Sequence, residues 1–169
     1  MPDTAANESF TPGPGQERAL RDALGRFGTG VTVVTCATAT GPLGITANSF
    51  ASVSLDPPLV LWSPAKNSSR YPFYAAARHF AVHVMGAEQS AISQGFARSG
   101  DAFDGIDWSE NAEGVPVIAG CLARFDCEKV AEHEGGDHLI VVARVLRAEA
   151  RDGPPLLFYS GRYGGFAEG

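Results

Sequence analysis

In the run Gly44-Ile45-Thr46-Ala47-Asn48-Ser49-Phe50, polar side chains gather at the end of an otherwise apolar stretch. Threonine and serine hydroxyls and an asparagine amide each donate and accept hydrogen bonds. Such groups suit the rim of a planar heteroaromatic ring, whose edge alternates donors and acceptors. They suit equally a polar strand end in which Asn48 closes an Asx turn. A second polar run, Ser63-Pro64-Ala65-Lys66-Asn67-Ser68-Ser69-Arg70, stands just before a helix start at Pro72. Hydroxyls, backbone N–H groups and the positive end of a helix can hold a phosphate. The run lacks the glycine pattern of a P-loop, and a solvated surface loop has the same composition.

Gly136-Asp137-His138 lies at the turn between two strand-like segments, the first alternating apolar and charged residues. A histidine after a turn serves as a surface or capping residue, or sets its flat, titratable ring beside a charged or planar ligand. His79, His83 and His133 receive no function. Cys127, His133 and His138 lie along one hairpin without the spacing of a structural zinc site, so no metal is expected. No Gly-x-Ser-x-Gly elbow occurs, which disfavours a hydrolase of that type. The Gly-x-Gly-x-x-Gly fingerprint is missing too, so a dinucleotide would have to be held by another device. No catalytic acid, base or nucleophile is assigned.

The elements that must carry these residues fit one domain. The chain has 169 residues, 44% hydrophobic and 19% charged, an ordinary globular composition. A net charge of −6 argues against nucleic acid or an anionic membrane as the main partner. No apolar run is long enough to span a bilayer, and the first sixteen residues lack the pattern of a secretory signal. Residues 1–15 read as a disordered tail, broken by Pro2, Pro12, Gly13, Pro14 and Gly15, ahead of a single domain over 16–169. Cys36, Cys121 and Cys127 form no disulfide framework, so a reduced, cytoplasmic protein is the expectation.

Apolar spacing predicts a helix over 16–27, stopped by Gly28-Thr29-Gly30. Strands follow over 31–37, 43–50 and 59–62, then a short helix near Pro72. A strand over 80–85 and a helix over 87–98 come next. The Gly- and Asp-rich stretch 99–114 reads as a loop pinned by Phe103, Ile106 and Trp108. Strands over 121–131 and 138–146 flank the turn Glu134-Gly135-Gly136-Asp137, and 156–159 is a last short strand. About seven short strands with two or three helices suggest a closed antiparallel barrel decorated by helices.

Taken in order, six of these segments resemble the short-chain flavin reductases that serve two-component flavin monooxygenases. They are Phe27-Gly28-Thr29-Gly30-Val31-Thr32-Val33-Val34-Thr35, Thr46 to Leu55, Asp56-Pro57-Pro58-Leu59-Val60, Gln94-Gly95-Phe96-Ala97, Gly136-Asp137-His138 and Pro155-Leu156-Leu157-Phe158-Tyr159. The resemblance covers nearly the whole chain after the tail. It implies a mainly β fold with a few helices, a closed antiparallel FMN-binding split β-barrel, found as a homodimer with flavin sites near the interface. It implies an NAD(P)H:flavin oxidoreductase that passes hydride from NADH or NADPH to FMN or FAD. The reduced flavin would reach a partner monooxygenase by diffusion.

By the same resemblance, Thr46, Ala47, Asn48 and Ser49 line the isoalloxazine edge, and Ser63, Asn67, Ser68 and Ser69 receive the ribityl chain and phosphate. Phe96, Ala97, Arg98 and Phe103 border the site, His138 meets the nicotinamide, and Tyr163 closes over it. Three positions depart from the pattern: Ala102 replaces a basic residue between Asp101 and Phe103, Ala143 stands where Gly is frequent, and Arg70 stands where Thr is common. The alternative on the same barrel is a flavin-carrying or electron-transfer protein without a productive nicotinamide site. A further rival is an interaction protein that kept the barrel and lost the flavin.

Overall fold

A computed structural model describes residues 7–169. Of the expected tail, residues 1–6 lie outside the described residues, and residues 7–16 are exposed and form neither helix nor strand. The chain is mainly β. Its strands are β1 (Thr29–Gly30), β2 (Thr32–Thr38), β3 (Gly41–Ala47), β4 (Ala51–Leu55), β5 (Pro58–Trp62), β6 (His79–Val84), β7 (Trp108–Glu110), β8 (Pro116–Ile118), β9 (Ala123–Gly135), β10 (His138–Ala150), β11 (Leu157–Tyr159) and β12 (Arg162–Gly164). The helices are α1 (Glu17–Leu24), α2 (Tyr71–Ala76) and α3 (Ser90–Arg98), the last entered through a single 3₁₀ turn at Ala87–Gln89.

Seven strands form one antiparallel sheet in the order β3-β2-β6-β9-β10-β5-β4. The run Thr32 to Cys36 is buried on both faces, which explains its unbroken Val/Thr composition. On one face Val34, Cys36, Trp62, Phe80, Val82 and Val141 make the larger core, with Leu43 and Ile45 of the edge strand packed against it. On the other, Val31, Val33, Met85, Phe96, Phe103 and Ile118 make a second core under α3 and the loop that follows it.

The expected closure of the barrel does not form: among the described residues, the ladder ends at β3 on one side and β4 on the other. The reason lies at the edges. Gly44 on β3 gives its N–H to Gly100 O at 2.9 Å and its carbonyl to Arg70 Nη1 at 3.0 Å, so its outward groups are already satisfied. Residues 48–50 carry the chain from one edge to the other. Ser49 Oγ ties that link to the end of β5, accepting from Ser63 N at 2.9 Å and donating to Ser63 O at 3.3 Å. The result is a curled sheet with a seam.

Three pieces lie outside that sheet or beyond the expected boundaries. The stretch expected as a loop over 99–114 contains β7, which pairs with β8 and places Trp108 opposite Ile118. The tail contains β12, joined to β11 by Ser160-Gly161, and β1 completes a small ribbon in the order β1-β11-β12. The region 43–50 ends as a strand at Ala47, and β4 is a separate edge strand that is mostly exposed. His83 pins the small β7–β8 hairpin: its Nδ1 donates to Val33 O at 2.9 Å and its Nε2 accepts from Ile118 N at 3.0 Å. Full burial pulls this imidazole down to about pH 4 for its titration, so it is neutral in the fold.

Candidate functional site

Because strand side chains alternate while backbone groups point along the sheet, Thr46 must direct its N–H and C=O to the same side as Gly44, away from β2. Beside that edge lies a cavity of about 280 Å³, lined by Val31, Ile45, Thr46, Ala47, Asn48, Arg70, Ala97, Phe158 and Tyr163. Its floor is apolar and its rim polar. The Thr46 hydroxyl is used inside the protein, donating to Ser93 O on α3 at 2.5 Å. Asn48 is exposed and its amide meets no protein partner among the described residues. Across the cavity, Phe158 of β11 and Tyr163 of β12 stand opposite each other in the ribbon, with ring centroids 5.3 Å apart in an edge-to-face contact.

Arg70 forms one wall. Its guanidinium donates to Gly44 O at 3.0 Å, Phe96 O at 2.5 Å and Ala97 O at 3.3 Å, capping the last carbonyls of α3 and joining that helix to β3. Arg70 also lines an adjoining cleft of about 420 Å³ with Ser69 and Arg98. Gly44 is required where β3 passes α3, since a Cβ there would stand 2.5 Å from the Phe96 ring.

The loop 63–70 is docked on the β9–β10 turn. Lys66 N donates to Asp137 O at 2.9 Å, Leu139 N to Pro64 O at 3.1 Å, and Lys66 Nζ to Gly136 O at 2.9 Å and to Glu134. That docking brings His138 beside Ala65 in an isolated bridge. His138 Nδ1 faces Asp137 Oδ1 at 2.7 Å, and this hydrogen bond holds the Asp137 carboxyl below the usual carboxylate range. Ser68 Oγ accepts from Arg70 N at 3.2 Å, while Asn67 and Ser69 present their side chains outward.

Of the residues expected to bind, Thr46, Ala47, Asn48, Ala97 and Tyr163 therefore share one cavity. Ser69 and Arg98 share its neighbour across Arg70. Ser49 and Ser63 hold the seam. Asn67, Ser68 and His138 lie along the docked loop and turn, and they line neither cavity. Phe96 and Phe103 stand behind the wall in the second core, edge to face at 4.8 Å, and only the Phe96 carbonyl reaches the site through Arg70. Sequence reasoning missed Val31, Ile45 and Phe158 as lining residues, and placed Arg70 in the phosphate-holding run and among the departures rather than in the cavity wall. Alternation in 157–159 could have flagged Phe158; the three carbonyls that Arg70 meets are distant in sequence and had no signal.

Nucleophilic chemistry has no support in the geometry. Burial pushes the Cys36 and Cys127 thiols up to about 12, so neither is a thiolate near neutral pH. Among the described residues no group of His, Cys, Asp or Glu side chains is placed to hold a metal.

The family profile described as "Flavin reductase like domain" matches residues 24–167. FMN reductase (NADH) SmoA of Agrobacterium fabrum is 60% identical over 158 residues, spanning 94% of this chain and 91% of that protein. The reductase subunit HsaB of a flavin-dependent monooxygenase from Rhodococcus jostii is 42% identical, over 88% of this chain and 77% of its own. Among solved structures, the Streptomyces globisporus C-1027 NADH:FAD oxidoreductase SgcE6 superposes with a TM-score of 0.88 at 40% identity, covering 98% of this chain and 96% of that one. Its complex with NAD and FAD fragments gives a TM-score of 0.87 at 41% identity, over 94% of this chain and 98% of that one.

Proposed function

This chain belongs to the flavin reductase-like family, and from that membership we propose how its cavity serves the reaction. The protein is an NAD(P)H-dependent flavin reductase whose reduced flavin supplies a partner monooxygenase. The apolar floor, the polar edge at 46–48 and the aromatic pair Phe158 and Tyr163 fit a planar ring with a hydrogen-bonding rim. Flavin, when bound, supplies the two-electron acceptor for hydride from NADH or NADPH.

The chain's own residues bind and orient. Thr46, Ala47, Asn48 and Ser49 take the ring edge, Ala97 and Tyr163 flank it, and Phe96 and Phe103 back the wall. Ser63, Asn67, Ser68 and Ser69 receive the ribityl chain and phosphate, with Arg98 nearby in the adjoining cleft. His138, oriented by Asp137, meets the nicotinamide. Placement of two planar rings within contact distance is the main protein contribution, because hydride transfer needs no protein acid or base. FMN and FAD share the ring, ribityl chain and first phosphate that these residues take, so both are accommodated.

The same reading makes residues 16–169 one functional domain with a split β-barrel character, the seam lying between β3 and β4. It makes the active species a homodimer: Leu55 on the β4 edge is 97% exposed and Phe27 79%, apolar surface that a second copy would cover. The partner monooxygenase receives flavin by diffusion. Free buried cysteines suit a cytoplasmic, reducing compartment.

The carrying observation is that one cavity joins the polar end of β3 to the aromatic pair of the ribbon. The test is oxidation of NADH and NADPH, followed by nicotinamide absorbance, with FMN, FAD and riboflavin added in turn. Turnover that requires added flavin is expected. Flavin binding without turnover would move the protein to the flavin-carrier class.

A further inference from the structure

Beyond the edge of β12 lies a second cleft, of about 480 Å³, lined by Arg26, Leu157, Tyr159, Ser160, Arg162 and Tyr163 among others. Tyr163 is common to this cleft and to the cavity described above. The cleft holds two guanidinium groups and no carboxylate. Arg18, Arg78, Arg124, Arg147 and Arg151 each have an acidic partner within ion-pair distance, whereas Arg26 and Arg162, like Arg21, Arg70, Arg98 and Arg144, have none among the described residues. In a chain of net charge −6, two arginines left without carboxylates in one concavity make a local anion trap.

The backbone there is specialised as well. Ser160 has φ 48°, and it is the non-glycine residue found in the left-handed region among the described residues. With Gly161 at φ 78° it makes the two-residue turn between β11 and β12. Asn, Asp or Gly would adopt the first of these positions more readily than Ser. The conformation sets Ser160 Oγ 3.4 Å from Arg26 Nη1, and Ser160 N donates to Gly25 O at 3.0 Å, which docks the turn on the end of α1. Arg162 pairs with Tyr159 in register, so both side chains project from one face of the ribbon. Arg26 and Ser160 draw the Tyr159 phenol below its ordinary range, as a positive site would.

We propose that this cleft is the binding site for the diphosphate of the nicotinamide dinucleotide, held by Arg26 and Arg162 while its nicotinamide end passes Tyr163 into the ring cavity. The assignment rests on the reductase reading and adds a site to it. FAD carries the same diphosphate chemistry, and the test separates the two sources.

The experiment is calorimetric titration of wild type and the R26Q/R162Q double variant with ADP-ribose, a diphosphate probe without nicotinamide. Both side chains are exposed, and thermal melts check that the variant is folded. Affinity for ADP-ribose should fall roughly tenfold, and the KM for NADH should rise by a similar factor. FMN and FAD binding, followed by flavin fluorescence, should match wild type, and R18Q should leave all of these unchanged. No ADP-ribose binding to wild type, or equal affinity in the double variant, overturns the proposal. Weakened FAD binding with intact ADP-ribose binding overturns it too, giving the cleft to the flavin's diphosphate. Failure of the reductase reading would appear separately, as absence of flavin-dependent NADH oxidation by wild type.

Discussion

Arg70 Nη1 donates to the carbonyl of Phe96 at 2.5 Å, so a loop residue before α2 caps the last turn of α3. The same group holds Gly44 O on β3, and the wall of the ring cavity is thereby fixed from both sides. Replacing Arg70 by Thr should leave these carbonyls to water and loosen α3. The expected cost is about 1–2 kcal/mol in chemical unfolding, with flavin affinity reduced several-fold. Arg70→Lys, which keeps the charge and loses the fork, should recover only part of the loss. Unchanged flavin binding in Arg70→Thr would remove Arg70 from the wall's function.

Gly44→Ala tests the close approach of β3 to α3. A methyl group 2.5 Å from the Phe96 ring forces strand and helix apart, at about 1–3 kcal/mol of stability. A melt within experimental error of wild type would mean that the Phe96 ring moves freely aside.

Asn48 and Thr46 should separate binding from stability. Asn48→Ala removes an exposed amide with no protein partner, so stability should change by no more than about 0.5 kcal/mol. Flavin affinity should nevertheless fall roughly tenfold. Thr46→Val deletes the bond to Ser93 O and should lower stability by about 1 kcal/mol as well. Equal flavin affinity in Asn48→Ala and wild type would take Asn48 off the ring edge.

His83 gives a pH dependence whose sign follows from burial. Its folded value is about 4 against an ordinary 6.5, so the unfolded chain binds the proton first as pH falls. Its contribution is complete above about pH 6.5 and is lost progressively toward pH 4, at about 1.4 kcal/mol per pH unit. Across that window the loss is about 3 kcal/mol. Protonation puts a hydrogen on Nε2 against Ile118 N–H, and the β7–β8 hairpin should exchange its amides first. A His83→Gln variant with the same stability slope between pH 6.5 and 4 would contradict this account.

Leu55→Glu places a charge on the exposed edge strand β4. Sedimentation should show wild type as a dimer and the variant shifted toward monomer. Undiminished dimer in the variant would locate the interface elsewhere.

Much of the fold was legible because hydrophobic period reports burial. The Val/Thr run of β2, the strand period of β9 and the turn at Gly136 all carried local signals, and all formed, though Asp126 on the polar face of β9 is buried between Arg124 and Arg147. The β7 and β12 strands did not announce themselves. Each is three residues long, and each exists because a partner from elsewhere completes it: Ile118 opposite Trp108, Phe158 opposite Tyr163. The expected closure of the barrel follows from strand count and from the family resemblance, and neither reports on the edges of the sheet. Whether edge strands meet depends on what else satisfies their backbone, here Gly100 and Arg70, which no local pattern encodes. At the site, Thr46, Ala47 and Asn48 were readable as a polar strand end. The adjoining roles of Arg70 and Phe158 depended on contacts across many residues, and the rings of Phe96 and Phe103 went inward to the second core instead.

The seam between β3 and β4 bears on how long a ligand stays. At the cavity, beyond the stretch of edge held by Gly100 and Arg70, the outward N–H and C=O of Thr46 have no protein partner among the described residues. A ligand that adds to this edge exchanges one set of hydrogen bonds for another, and each such exchange contributes only about 0.5–1.5 kcal/mol. Affinity built from a few of these bonds and a small apolar floor stays moderate, and moderate affinity is expressed mainly as a fast off-rate. A continuous ladder would have removed the edge altogether. On the function proposed above, the gap is a timing element: it should give short residence to a product whose next reaction takes place on another protein, and a slow flavin off-rate in stopped-flow measurements would contradict this.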